Sequence, residues 1–252
     1  AKDIDMLYGT GRTLKLAVAV VDGIFMTAVL WVLAWLPTKV RDPIYPALYQ
    51  YWSGCFVRIM GVDLRLHHKN RLPLPEHYLL VANHPSSFED AGIPHSFPVR
   101  AIAKKELTAV PILGRIGQAA GTVFVSREDK ESRKQAAKAA VDFLKTGNNL
   151  VVFPEGGCYP RLRDFFHQGT FQLAIDAEVK ILPVYIEYEA LNDFAWGDES
   201  MAKNMYKIFN APSSIAHFHV YDAIDPNDFD GKESLTEHVH KKFQQWEDQC
   251  LA

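Results

Sequence analysis

The chain is poor in cysteine: Cys55, Cys158 and Cys250 are its three, odd in number and far apart over 252 residues. That excludes a disulfide framework and fits a reducing compartment. It also lacks a dominant charge. The 27 Lys and Arg against 30 Asp and Glu leave a net charge of -3, which gives no footprint for nucleic acid. There is no internal repeat and no low-complexity segment. Gly156-Gly157 lacks the spacing of a nucleotide phosphate loop. The ten histidines are scattered without metal-ligand spacing, so neither a metal nor a cofactor is expected, and His67-His68 reads as solvated surface. What remains is ordinary globular composition, 48% hydrophobic and 23% charged, long enough for one α/β domain and an appendage.

One long apolar run is present, Leu14 to Pro37. As a helix it would reach roughly 34 Å, the depth of a bilayer. No small-residue cleavage site follows it, which argues against a signal peptide. Asp42-Pro43 opens a second helix, in which Ile44, Leu48, Tyr51, Trp52, Cys55, Phe56, Ile59 and Met60 recur at helical spacing up to Gly61. Basic residues flank the first helix on both sides, Arg12 and Lys15 before it and Lys39 and Arg41 after it. That balance fits a helix pair dipping into one leaflet. Residues 1–61 are therefore expected to form a membrane-associating helix pair, and residues 62–252 an α/β domain.

From Val62 onward strand and helix patterns alternate, which predicts a mixed, mainly parallel sheet covered by helices. Tyr78 to Ala82 reads as a buried strand, and it stops at Asn83-His84-Pro85. Ser86 and Ser87 offer helix caps, with Glu89 and Asp90 in the first turn. A histidine at the carboxyl end of a strand, with an acid five residues later, has the makings of a general base and its orienting carboxylate. A second buried strand, from Leu150, ends in Phe153-Pro154-Glu155-Gly156. Residues 192–214 show little periodicity and read as a surface excursion. Ser234 with Glu237 reads as a capping box for a last helix, whose stripe is Leu235, Val239, Phe243 and Trp246.

These blocks carry a family resemblance. Asn83-His84 with Glu89 resembles the N-H-x-x-x-x-D pattern of the glycerolipid acyltransferases, and Phe153-Pro154-Glu155-Gly156 is similar to their F-P-E-G. Lys105-Glu106-Leu107, Pro111, Gly114 and Gly121 to Arg127 resemble the middle block, and Ile181 to Tyr185 the last. Together they span residues 83 to 185, in order. Two departures stand out. Glu89 occupies the aspartate position, with Asp90 one place later, and Cys158 stands where the family carries arginine, leaving Arg161 and Arg163 as the nearest substitutes.

The resemblance implies a membrane-bound O-acyltransferase on the cytoplasmic face of the inner membrane. Its donor would be acyl-CoA or acyl-carrier protein, and its acceptor the sn-2 hydroxyl of lysophosphatidic acid. His84 would be the general base and Glu89 its partner. Lys105, Arg127 and Arg161 would grip an acceptor phosphate. Glu155 would bind an acceptor hydroxyl or hold its turn, and backbone N–H groups at Gly156-Gly157 would face the oxyanion. Another lysolipid, such as a lyso-ornithine lipid, remains an alternative acceptor. A thioesterase or lipase built on Cys158 with His84 is the competing class.

Overall fold

The computed structural model describes residues 2–126, 129–197 and 199–251. The chain opens with α1 (Lys2–Leu33), which begins well ahead of the apolar run. A short α2 (Thr38–Arg41) and α3 (Tyr45–Met60) follow. α3 ends at Gly61, whose φ of 67° is left-handed and suits a residue without Cβ.

The remaining elements alternate as the pattern predicts. β1 (Asp63–His68) and β2 (Tyr78–Ala82) lead to α4 (Glu89–Ser96) and β3 (Arg100–Lys104). Next come α5 (Pro111–Ala119), β4 (Val123–Val125), α6 (Lys130–Lys145), β5 (Leu150–Val152) and α7 (Gln168–Ala177). β6 (Lys180–Tyr188), α8 (Leu191–Phe194), α9 (Met201–Phe209), β7 (Ile215–Val220) and α10 (Lys232–Leu251) complete the chain.

The seven strands form one sheet in the order β1-β7-β6-β2-β5-β3-β4. Every neighbouring pair is parallel except β6 with β7. β2 is central, and all five of its residues are buried. That is why it reads as a continuous apolar run, as strands covered on both faces do.

One apolar layer joins β2, β6 and β7 to α3, α4, α8 and α9 through Val57, Leu80, Ile93, Val184, Phe194, Ile208 and Phe218. The other joins the sheet to α6, α7 and α10 through Leu79, Val81, Leu144, Phe171, Phe243 and Trp246. The four-residue stripe of α10 is buried within it, each member at 8% exposure or less.

A third cluster ties α1 to α3 and α5, through Met26, Leu30, Trp52 and Ile116. Tyr45 Oη sits 3.3 Å from the carbonyls of both Leu30 and Ile116. Within α1, Thr13–Leu33 is the one segment among the described residues long and apolar enough to cross a membrane. Val18, Val21, Ile24 and Phe25 on it are exposed. Asp22, costly in hydrocarbon if alone, pairs with Arg58 Nη2 at 2.6 Å and accepts from Tyr51 Oη at 2.8 Å. α3 also faces inward. Gln50 Nε2 donates to the carbonyl of His95 on α4 at 2.9 Å, and Val57 and Met60 lie in the main core.

Two local readings need correction. Residues 192–214 are not a surface excursion, because they carry α9 and part of α8, and Phe194, Asn204 and Ile208 are fully buried. Ser234 is not the N-cap of α10, which starts two residues earlier. Its Oγ donates to the carbonyl of Gly231 from within the first turn.

Candidate active site

Parallel strands bring their carboxyl ends to one edge, and there the chemistry-bearing residues collect. Asn83 and His84 leave β2, Phe153 to Glu155 leave the adjacent β5, and Tyr188 closes β6 on the other side. Asn83 extends the β2–β6 pairing with its side chain. Its Nδ2 donates to the Ile186 carbonyl at 2.8 Å, and its Oδ1 accepts from the Ile186 N–H at 2.7 Å. That two-point bond fixes where β2 ends and sets His84 just beyond it.

His84 is 9% exposed and stacks flat on Phe153, with ring centroids 3.9 Å apart and planes within 12°. Its Nδ1 lies 2.8 Å from Glu89 Oε2. Glu89 is fully buried at the start of α4. Oε2 also accepts the Ser86 N–H at 3.0 Å, and Oε1 accepts the Tyr188 hydroxyl. A buried carboxylate is costly unless its lone pairs are used, and here both oxygens are engaged. Burial and the Glu89 charge hold the Tyr188 phenol well above its ordinary pKa, so it stays a donor.

Burial pushes the Glu89 carboxyl up, opposed by the bonds from His84, Tyr188 and Ser86. Burial by itself would lower the His84 pKa. Cys158 and the Glu89 carboxylate beside the ring outweigh burial and carry the imidazole well above its ordinary 6.5. With Nδ1 committed to Glu89, the other ring nitrogen is the one that can exchange a proton with a bound group. Asp90 is exposed. The two serines do not cap α4 directly. Phe88 is the N-cap residue, and Ser86 Oγ accepts its N–H at 3.2 Å.

Glu155 is fully buried and braces two turns. Its Oε2 accepts the His84 N–H at 2.8 Å and its Oε1 the Arg163 N–H at 3.3 Å. Both oxygens are thus spent on backbone, which favours the turn-holding alternative over an acceptor contact. Burial raises its pKa to about 7, against the pull of those two N–H groups. Gly156 has φ 76°, and a Cβ there would lie 2.7 Å from His167 Nε2, so the turn requires glycine. The Gly156 N–H donates to the Phe153 carbonyl at 3.1 Å and is therefore held within the turn.

Cys158 is half-buried, its Sγ lies 3.7 Å from the Ser86 carbonyl, and burial pushes its thiol pKa up. Arg163 lies over the rings of Tyr159 and Phe165, 4.6 and 4.2 Å from their centroids.

Of the cations expected at a phosphate, two lie among the described residues. Lys105 is exposed and follows β3 at the same sheet edge. Arg161 is exposed and lines a cavity of about 220 Å³ with Asn83, Pro85 and Tyr159. Arg127 lies outside the described residues. Tyr188 and Phe153 went unrecognised as site residues in the sequence reading. A tyrosine at the carboxyl end of a buried strand was the available signal for the first. The excursion helices buttress the site as well: Trp196 N–H donates to the Pro85 carbonyl at 3.2 Å, and Ser87 Oγ to Asn204 Oδ1 at 2.5 Å.

A buried carboxylate–imidazole pair thus stands at a strand end, beside a glutamate-braced turn. Residues 63–187, about half of the chain, match the family model described as Acyltransferase, and the chain belongs to that family. It is 36% identical over 125 residues to a 1-acyl-sn-glycerol-3-phosphate acyltransferase of Neisseria gonorrhoeae, covering 46% of this chain and 47% of the relative. The chain thus spans about half the length of that curated relative. It is 27% identical to a lyso-ornithine lipid O-acyltransferase of Pseudomonas aeruginosa over 207 residues, 79% of this chain and 78% of the relative. The crystal structure of the 1-acyl-sn-glycerophosphate (LPA) acyltransferase PlsC from Thermotoga maritima shares the fold. Its TM-score is 0.73 at 20% identity, over 98% of both chains.

Proposed function

We propose that this chain is a membrane-associated O-acyltransferase that moves a fatty acyl group from a thioester to the sn-2 hydroxyl of lysophosphatidic acid. The observation that carries the reading is the His84–Glu89 pair, 2.8 Å apart with the carboxylate fully buried.

His84 takes the acceptor hydroxyl proton while the hydroxyl oxygen attacks the thioester carbonyl. Glu89 fixes the tautomer and stabilises the imidazolium that forms, and Tyr188 holds Glu89 in place. As the tetrahedral intermediate collapses, the imidazolium returns its proton to the departing thiolate. The developing oxyanion needs donors. With the Gly156 N–H committed to its turn, the Gly157 N–H is the proposed donor of that pair. Lys105, Arg127 and Arg161 are the proposed cations for an acceptor phosphate. The donor is acyl-CoA or acyl-carrier protein. α1 is the proposed anchor, with α3 joining it to the catalytic domain, and the proposed location is the cytoplasmic face of the inner membrane. The identity to the Neisseria relative supports lysophosphatidate as acceptor, and the longer Pseudomonas alignment makes a lyso-ornithine lipid the competing one.

The test is transfer from acyl-CoA and acyl-carrier protein to lysophosphatidate, lyso-ornithine lipid and a phosphate-free lysolipid. Lysophosphatidate should be the best acceptor. A preference for lyso-ornithine lipid would move the acceptor assignment, and no transfer to any of them would overturn the reading. A second reading is a thioesterase with Cys158 as nucleophile: its Sγ lies 3.7 Å from the Ser86 carbonyl, and the N–H of the next residue, Tyr159, donates to the His84 carbonyl at 2.9 Å. It predicts a covalent acyl-enzyme, thioester hydrolysis without an acceptor, and loss of both in Cys158→Ser.

A further inference from the structure

Away from His84, the antiparallel edge of the sheet gathers a second set of reactive side chains. β7 reads Ile-Ala-His-Phe-His-Val, and its period of two puts Ala216, Phe218 and Val220 into the core and His217 and His219 on the opposite face. The register places His67 of β1 beside His219, and Tyr185 and Glu187 of β6 opposite His219 and His217. All five therefore share one face. α10 packs over that face, and its last turn brings Cys250 alongside.

The side chains converge. His219 Nε2 lies 3.3 Å from Glu187 Oε2. One ligand atom each from Glu187, His219 and Cys250 lies within 4.8 Å of the other two. His67 stacks on His219 with ring centroids 4.8 Å apart, and its Nε2 lies 2.8 Å from His217 Nδ1, which restrains the imidazole from behind. His219 Nδ1 is buried with no hydrogen-bond partner among the described residues.

We propose that Glu187, His219 and Cys250 form a binding site for a divalent transition metal of the zinc type, linking the last turn of α10 to the β6–β7 edge. Tetrahedral zinc holds its ligand atoms about 3.3–3.8 Å apart, so the observed spacing closes with small side-chain rotations. One thiolate, one imidazole and one carboxylate suit zinc or cobalt and not magnesium or calcium, which take oxygen ligands. Binding displaces the thiol proton, and a solvent molecule completes four-coordination. Glu187 and Cys250 also line the cavity that Arg161 and Asn83 reach, so the metal would stiffen the wall behind the candidate acceptor side. The ligands come from three separate elements, which is why the sequence shows no ligand spacing for them. The proposal does not depend on the acyl-transfer reading.

The test uses the purified full chain, stripped with a chelator and titrated with Co²⁺ and then Zn²⁺. About one equivalent of Co²⁺ should bind with a thiolate-to-metal charge-transfer band in the near ultraviolet, and Zn²⁺ should displace it and raise the unfolding temperature. Cys250→Ser should abolish the band, and Cys158→Ser should keep it. Glu187→Gln, whose fold is checked by circular dichroism, should weaken Zn²⁺ by at least about tenfold. No stoichiometric binding, a band that survives Cys250→Ser, or Zn²⁺ affinity unchanged in Glu187→Gln would each overturn the site.

Discussion

The Tyr188 hydroxyl, at the end of β6, donates to the Oε1 of Glu89, while the Oε2 of the same carboxylate faces His84 Nδ1 at 2.8 Å. The imidazole is thus oriented by an acid that is itself oriented. Tyr188→Phe removes one bond to a charged group, worth about 1.5–3 kcal/mol. Acyl transfer should fall roughly 10- to 100-fold in kcat with little change in the acceptor KM. Steady-state kinetics on the folded variant check this, and a rise in KM alone would place Tyr188 elsewhere.

A base must be deprotonated to work, and His84 is held well above 6.5 by Cys158 and Glu89, against burial. The acid limb of the kcat/KM profile should therefore lie above pH 6.5. Cys158→Ala removes one of the groups that raise it and should move that limb down. A pH–rate series on both proteins is the measurement.

Glu155 gives a stability prediction. Burial raises its pKa from 4.5 to about 7 in the folded state. Between those values the native protein keeps a proton that the unfolded chain has released, so stability falls as pH rises through this window. Above the folded pKa the loss is complete, and below 4.5 the contribution is fully present. Glu155→Gln cannot titrate. Its melting temperature relative to wild type should therefore rise between pH 5 and pH 8, as thermal unfolding at the two pH values would show.

The outer face of α1 should meet lipid, since Val21 and Phe25 are 67% and 63% exposed. Changing both to Asp should leave the fold intact, because neither packs inside, yet sharply reduce co-flotation with phospholipid vesicles. Unchanged flotation would remove α1 as the anchor. A cut at residue 61 is a poorer test than the sequence suggests, because α3 supplies Val57 and Met60 to the main core.

Much of this architecture was legible in the sequence because burial on both faces leaves unbroken apolar runs, as in Tyr78 to Ala82, and burial on one face leaves a stripe, as on α10. Other parts were not. The helices within 192–214 escape notice because their anchoring residues are few: Phe194 and Ile208 are buried, while Tyr206 on the same helix as Ile208 is 70% exposed. The geometry of His84 and Glu89 was readable because the acid follows the histidine by five positions across a single turn. Phe153 and Tyr188 come to His84 only through the order of β5, β2 and β6, which local sequence does not encode. The turn-bound Gly156 N–H likewise follows from a backbone bond to Phe153 that residue identity alone does not reveal.

The most direct measurement compares acyl transfer to lysophosphatidate by wild type, His84→Ala, Glu89→Gln and Asp90→Asn, with folding of each verified. His84→Ala and Glu89→Gln should each lose about 100-fold or more, because the base or its charged partner is gone. Asp90 is exposed one position along α4, and Asp90→Asn should stay within about threefold of wild type. An inactive Asp90→Asn beside an active Glu89→Gln would contradict the pairing of His84 with Glu89.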